Sequence, residues 1–167
     1  MPAGGFSDRC IGLYAHFRRG ASSLQSPLLL LVRLYWGWQF AQSGWGRLHH
    51  IPQATQFFAS LHIPLPEANV VFVSSLEFVG GILLILGLAS RVIGLLLAMD
   101  MMVAYLTSDM EALHSIFSDP GKFYNADPYT FLFASLMILI FGPGRFALDW
   151  LLRRRLGDPA PALSAAA

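Results

Sequence analysis

Four long apolar runs dominate the chain, at roughly residues 27–48, 68–89, 91–110 and 128–148. Each is close to the ~20 residues that an α-helix needs to cross about 30 Å of hydrocarbon. Helix is the expected form because backbone groups in lipid must be hydrogen-bonded within their own segment. Only "ASR" separates the second run from the third, which predicts a tight antiparallel hairpin. Between the first two runs, Ile51, Ala54, Phe57, Phe58 and Leu61 recur at helical spacing until "IPLP" ends the pattern. That predicts a short interfacial helix on the outer leaflet. The link between the third and fourth runs carries Asp109, Glu111, Asp119 and Asp127 around a turn at "DPGK". Ahead of the first run, "IGLYAHFRRGASSL" reads as an interfacial helix with Tyr14, Phe17 and Arg18 at the headgroups. The final "GDPAPALSAAA" has the composition of a disordered tail.

The expectation is an all-α membrane protein, a four-transmembrane-helix bundle with a short outer helix between spans 1 and 2. Residues 1–26 form a cytoplasmic N-terminal segment, 27–150 the membrane domain, and 151–167 a basic, then Pro/Ala-rich tail. Composition supports the membrane assignment. Of 167 residues, 55% are hydrophobic and 13% charged, half the ~25% charged fraction of soluble domains. The net charge of +1 conceals an asymmetry. Arg9, Arg18, Arg19, Arg91, Arg153, Arg154 and Arg155 fall on one side, against Arg47 and Lys122 on the other. By the positive-inside rule both termini are cytoplasmic, as in a multi-pass protein of a bacterial inner membrane. The basic residues suit anionic lipid rather than nucleic acid. A single cysteine, Cys10, excludes an intrachain disulfide and any Cys-x-x-Cys chemistry. The stretch "MPAGGFSDRC" lacks a basic segment followed at once by an apolar core, so no cleavable signal peptide is expected.

Within the second run, "SSLEFVGGILLILGLASR" contains one carboxylate, Glu77, about 14 Å from the outer start of the span. A charge at mid-bilayer costs roughly 2.5–3.5 kcal/mol on insertion scales, so it should face protein and have a partner. Asp100 lies at a similar depth on the next helix. Two unpaired carboxylates there would repel, leaving at least one protonated. Arg33 is the basic residue placed to compensate, with a side chain long enough to reach the midplane or snorkel back. Glu77, Gly80, Leu84, Gly87 and Arg91 form one stripe, and Arg33, Gly37, Phe40 and Gly44 another. Their glycines allow helices to approach closely. Arg33, Glu77 and Asp100 are therefore the candidate intramembrane polar site. Its roles range from an ion pair that sets helix register to proton handling, with a neutral Asp100 as the third reading.

Several segments together resemble the DoxX family of small four-span membrane proteins. They are "RLYWGWQFAQSGWGRL", "IPLPEAN", "LEFVGGILLILGLASR" and "FGPGRFALD", whose order and spacing carry the likeness from about Arg33 to Asp149. The family typically has Lys where this chain has Arg47. The resemblance implies a four-span fold and links to quinone-coupled oxidation. It maps the family's polar positions to Arg33, Glu77, Arg91, Arg145 and Asp149. In "GPGR", Pro143 cannot continue a helical hydrogen-bond ladder, so the fourth helix ends or kinks there. Arg145 and Asp149, four apart, would then meet at the cytoplasmic interface. There they form either a structural helix end or an anchor for a headgroup or soluble partner.

Four histidines, His49, His50, His62 and His114, lie in the outer loops. No apolar run has a central histidine, which argues against a bis-histidine haem. His49, His50 and His114 with Glu111 are candidate metal ligands, since imidazole suits copper, zinc and iron; solvated loop histidines are the plainer reading. The "MDMM" run is read as gap-filling methionine before Cu(I) ligation. The leading function is a membrane subunit or accessory factor in quinone-linked redox chemistry, with lipid, other redox proteins and copies of itself as partners. A metal-handling accessory and a purely structural subunit are the alternatives. Bound quinone would favour the first, and stoichiometric metal lost on changing the histidines the second.

Overall fold

A computed structural model describes residues 5–156, and every regular element among them is helical. The tail from residue 157 lies outside the described residues. The first helix, α1, runs unbroken from Gly5–His49, about 68 Å at 1.5 Å per residue. It passes through Pro27, so the segment expected as a separate interfacial helix continues the axis of the first span. A short α2 (Ile51–Ser60) follows where the sequence pattern placed it. Next come α3 (Pro66–Leu86) and α4 (Ser90–Thr107), both long and apolar enough to cross a membrane. The acidic link folds into two short helices, α5 (Met110–His114) and α6 (Pro120–Asn125). The expected fourth span is cut short: α7 covers Pro128–Phe141, only 14 residues. Gly142, at φ +77°, turns the chain out of the helix, and Pro143 cannot re-enter the ladder. After this non-helical stretch α8 spans Leu148–Leu156.

Two helix pairs make the bundle, α1 against α3 and α4 against α7, joined through the α3–α4 hairpin. Their shared core includes Val32, Phe40, Leu84, Leu97, Met101 and Ile138. Glycine makes the α1–α3 contact close. A Cβ on Gly81 would sit 2.5 Å from the Gly37 carbonyl oxygen and 2.6 Å from the Ala41 nitrogen. One on Gly44 would lie 2.5 Å from the Phe78 nitrogen. These are backbone atoms, which cannot move aside without shifting a helix. Gly80, by contrast, faces Ile93 and Leu97 of α4 at ordinary distance. Only part of the small-residue stripe on α3 therefore serves the α1 contact.

The α3–α4 turn follows from local chemistry. Gly87, at φ +73°, receives the chain in a left-handed conformation, and the Leu88 N–H returns to the Leu83 carbonyl at 3.0 Å while Gly87 N–H reaches Leu84 at 3.1 Å. This pair of bonds is a Schellman ending, in which glycine avoids the Cβ penalty.

Gly81→Ala should lower the melting temperature in detergent, because its methyl would meet backbone on both sides; overpacking typically costs about 1–3 kcal/mol. Gly46→Ala, in open space on α1, should be neutral or stabilising by up to about 1 kcal/mol. Equal melting temperatures for the two variants would refute this packing.

Candidate functional site

At the end of the bundle that carries α2, α5 and α6, a cavity of about 820 Å³ opens between the helices. Phe40, Phe57, Tyr124 and Phe131 supply aromatic walls, and Ser43, Arg47 and Glu77 its polar side. Glu77, 2% exposed, accepts a hydrogen bond from Arg47 Nη2 and forms its ion pair there. Arg47 Nη2 also donates to Ser43 Oγ at 3.0 Å, one turn back along α1. Among the described residues, two buried polar atoms near this cavity lack a partner: Arg47 Nε and Asp100 Oδ2. Asp100 lies within electrostatic range of Arg47 and immediately precedes Met101, which lines the cavity. The cavity lining thus holds one cation, Arg47, its paired carboxylate Glu77 and two further acidic residues, Asp109 and Asp127, with Asp100 nearby but outside the lining.

The expected Arg33–Glu77 pair does not form. Helix register is the reason: Gly37 meets Gly81 and Gly44 meets Ser74, so Arg33 falls beside Gly87, at the opposite end of α3 from Arg47. There Arg33, 1% exposed, donates only to backbone carbonyls. Its Nε reaches Leu84 at 3.0 Å, Nη2 reaches Phe146 at 2.8 Å and Ile85 at 3.4 Å, and Nη1 reaches Pro143. Carbonyls at a helix C-terminus are left unpaired by the helix and carry partial negative charge, so a guanidinium satisfies them without a carboxylate.

Asp149 and Arg145 also fail to meet. Residues 142–147 are not helical, so the four-residue spacing does not place both on one face. Asp149 instead accepts the Ala89 and Ser90 N–H groups, each at 2.8 Å, and so caps α4 from α8. The Ala89 backbone, at φ +48°, is strained for a residue with a Cβ, and Asp149 holds it. Arg145 donates its backbone N–H to Ser26 Oγ at 3.3 Å. Arg91 Nη2 reaches the Ile140 carbonyl at 3.5 Å. Arg33, Asp149 and these links tie α8 and the "GPGR" turn to the α3–α4 hairpin.

The candidate metal ligands His49, His50 and Glu111 have other partners. His49 Nδ1 lies 2.9 Å from the Trp45 carbonyl and His50 Nδ1 2.9 Å from that of Gly46. Glu111 accepts a hydrogen bond from Lys122 at 2.9 Å, which holds its carboxyl below the usual range. Among the described residues, no three His, Cys, Asp or Glu side chains gather as a metal site would require, so His49, His50, His114 and Glu111 do not form one. Sequence reasoning missed Arg47, which it counted only as an outer-side charge. It also missed Tyr105, fully buried, which donates to the Phe123 carbonyl at 2.8 Å and stacks on that ring.

Fold and site together describe a helical membrane protein with a polar cavity at one end of its bundle. A family model described as DoxX matches residues 28–110. The chain is also 30% identical over 120 residues to "Putative oxidoreductase CatD" of Bacillus subtilis (strain 168). That alignment covers 72% of this chain and 83% of the relative. The chain belongs to the DoxX family. Arg33, Arg47, Glu77 and Asp100 all fall within the region matched by the family model. No solved structure matches the chain.

Glu77→Gln and Arg47→Met should each lower thermal stability in detergent, with partial recovery in the double variant. The loss should be below the ~3–5 kcal/mol of a fully buried broken pair, because Arg47 is 31% exposed to the cavity. Arg33→Met should also destabilise, yet add independently to Glu77→Gln. Coupling of Glu77 to Arg33 rather than to Arg47 would contradict the observed pairing.

Proposed function

We propose that this protein is an integral membrane subunit or accessory factor in quinone-linked redox chemistry, with Arg47, Glu77 and Asp100 forming its polar site. The redox assignment is supported by family membership and by the name of the Bacillus subtilis relative. The observation that carries the site is the pair of unengaged atoms, a donor at Arg47 Nε and an acceptor at Asp100 Oδ2, close to an aromatic-walled cavity. A quinone ring fits between such walls, and its carbonyl oxygen needs a hydrogen-bond donor. Arg47 supplies that donor while Glu77 holds the guanidinium in place. Reduction of a quinone to a quinol takes two electrons and two protons. A partner redox protein delivers the electrons, and Asp100, protonated, passes a proton towards the quinone oxygen. Replacement protons enter through the cavity mouth, near Asp109 and Asp127.

The membrane arrangement belongs to the same proposal. The part of α1 from residue 27, together with α3, α4 and α7, spans the bilayer, and both termini are cytoplasmic. The cavity then faces outward. Alone, α7 covers ~21 Å; α6 and residues 142–147 complete the crossing, aided by modest bilayer thinning. Residues 27–150 form the membrane domain, and the flanking basic residues lie against anionic lipid.

Topology is testable with an impermeant thiol reagent on intact cells in a Cys10→Ser background. Lys122→Cys should label and Arg19→Cys should label only after permeabilisation; the reverse pattern would invert the orientation.

The chemistry is tested with a short-chain ubiquinone analogue, its binding followed by tryptophan quenching in purified protein. Arg47→Met should weaken binding at least tenfold. Asp100→Asn should leave binding and melting temperature near wild type and abolish quinone turnover in the complete complex, since proton transfer needs a titratable group. Full turnover by a well-folded Asp100→Asn protein would remove the proton-handling role.

A further inference from the structure

Among the described residues, one face of α1 has no partner in the bundle. Its apolar positions alternate at spacings of four and three residues. In the N-terminal half they are Cys10, Tyr14, Phe17, Ala21 and Leu24; further along they are Leu28, Leu31, Tyr35, Trp38 and Trp45. Gln42 is the polar exception. This seven-residue repeat is the seam of a left-handed coiled coil, in which each position seats between residues of a second helix. The bundle-facing side of α1 is different and opposite: Leu29, Arg33, Gly37, Phe40 and Gly44 are the buried positions there. Along the seam, exposure stays high at both ends, 73% at Phe17, 67% at Leu24, 64% at Leu31 and 57% at Trp38.

Lipid could cover the seam where α1 crosses a bilayer, but the same repeat runs on through residues 10–24. That portion extends about 25 Å along the axis before the span begins at residue 27. Because α1 is unbroken through Pro27, the repeat runs through both portions of one helix. A helix that only lay along headgroups would have no need to keep its apolar face in phase with the span. A second helix following the whole length would.

We infer that this seam is a self-association surface, on which α1 of a second copy packs in parallel. The inference rests on the shared membrane topology proposed above and not on the redox reading. Two copies inserted the same way in one bilayer have parallel α1 helices, so each seam position faces its own equivalent across a two-fold axis. The exposed seam offers on the order of 1,000 Å² per copy, against ~800 Å² per partner in a standard interface. Its middle is also concave: Leu24, Leu28 and Leu31 with Met137 and Phe141 of α7 border a groove of about 580 Å³, which receives the partner's side chains.

Cys10 occupies a seam position and reports on this arrangement without any substitution. Equivalent positions of this kind in a parallel coiled coil lie within the 4.4–6.8 Å Cα separation that a disulfide spans. Oxidation of native membranes with copper phenanthroline should therefore yield a covalent dimer on a non-reducing gel, absent in Cys10→Ser. In that background Phe17→Cys and Leu24→Cys should restore the dimer, and His16→Cys, Arg19→Cys and Ser23→Cys, on the far face, should give at least tenfold less. No dimer at Cys10, Phe17→Cys and Leu24→Cys, or equal yields at every position, would overturn the inference. So would a seam that never cross-links but becomes shielded from soluble thiol reagent when phosphatidylglycerol vesicles are added to the detergent-purified protein, which would assign it to the membrane surface. Reversed labelling of Lys122→Cys and Arg19→Cys would invert the topology and leave the seam intact.

Discussion

The close contact of α1 with α3 governs where every important charge ends up. At Gly37, Gly44 and Gly81 the two backbones come so near that no side chain fits between them. Close backbone approach of this kind is how helices associate where lipid offers no hydrophobic advantage to burial. It also removes freedom. Sliding α1 by one residue would drive a neighbouring Cβ into a carbonyl, so the register is held sharply. From that register follow two consequences at once: Arg47 comes within reach of Glu77, and Arg33 arrives at the end of α3.

Two arginines on one helix therefore have opposite environments. Arg33 directs its guanidinium at four carbonyl oxygens, from Leu84, Ile85, Pro143 and Phe146. Nothing remains for a ligand, and its charge is balanced by helix-end dipoles. Arg47 binds a carboxylate and a hydroxyl and leaves Nε unengaged beside a cavity. A planar group with five donors suits both tasks, so residue type alone does not distinguish a clamp from a site. The distinction lies in what surrounds each one.

That explains which parts of the molecule were legible in its sequence. The positions of α2, α3 and α4 followed from apolar runs, and the end of α7 from the "GPGR" signal. The charge of Glu77 marked it as a carboxylate that faces protein and has a partner, and it is buried and paired. Its partner was not legible, because depth counting treats each span separately and puts Arg47 at an interface, whereas pairing depends on how two helices register. The glycines that fix that register were visible, but Gly80 and Gly81 are adjacent and point at different neighbours. Asp149 was misassigned for a related reason: a four-residue spacing signals contact only where the chain is helical, and the turn before Leu148 is not.

The two ends of the bundle are consequently unlike. Around the "GPGR" turn, Arg33 and Asp149 close the backbone ends of α3 and α4, and Leu84, Leu97 and Ile138, each fully buried, fill the space behind them. At the other end the helices part around Arg47 and Glu77. These apolar side chains lie between the "GPGR" end and the cavity end of the bundle. In the proposed function this makes proton uptake one-sided: whatever protons Asp100 delivers are drawn through the cavity mouth, while electrons can arrive from elsewhere through a partner. The sealed end is thus as necessary to the proposal as the open one. Loosening the Arg33 clamp would act on the chemistry by admitting water behind Leu84 and Leu97, without touching a single residue of the site.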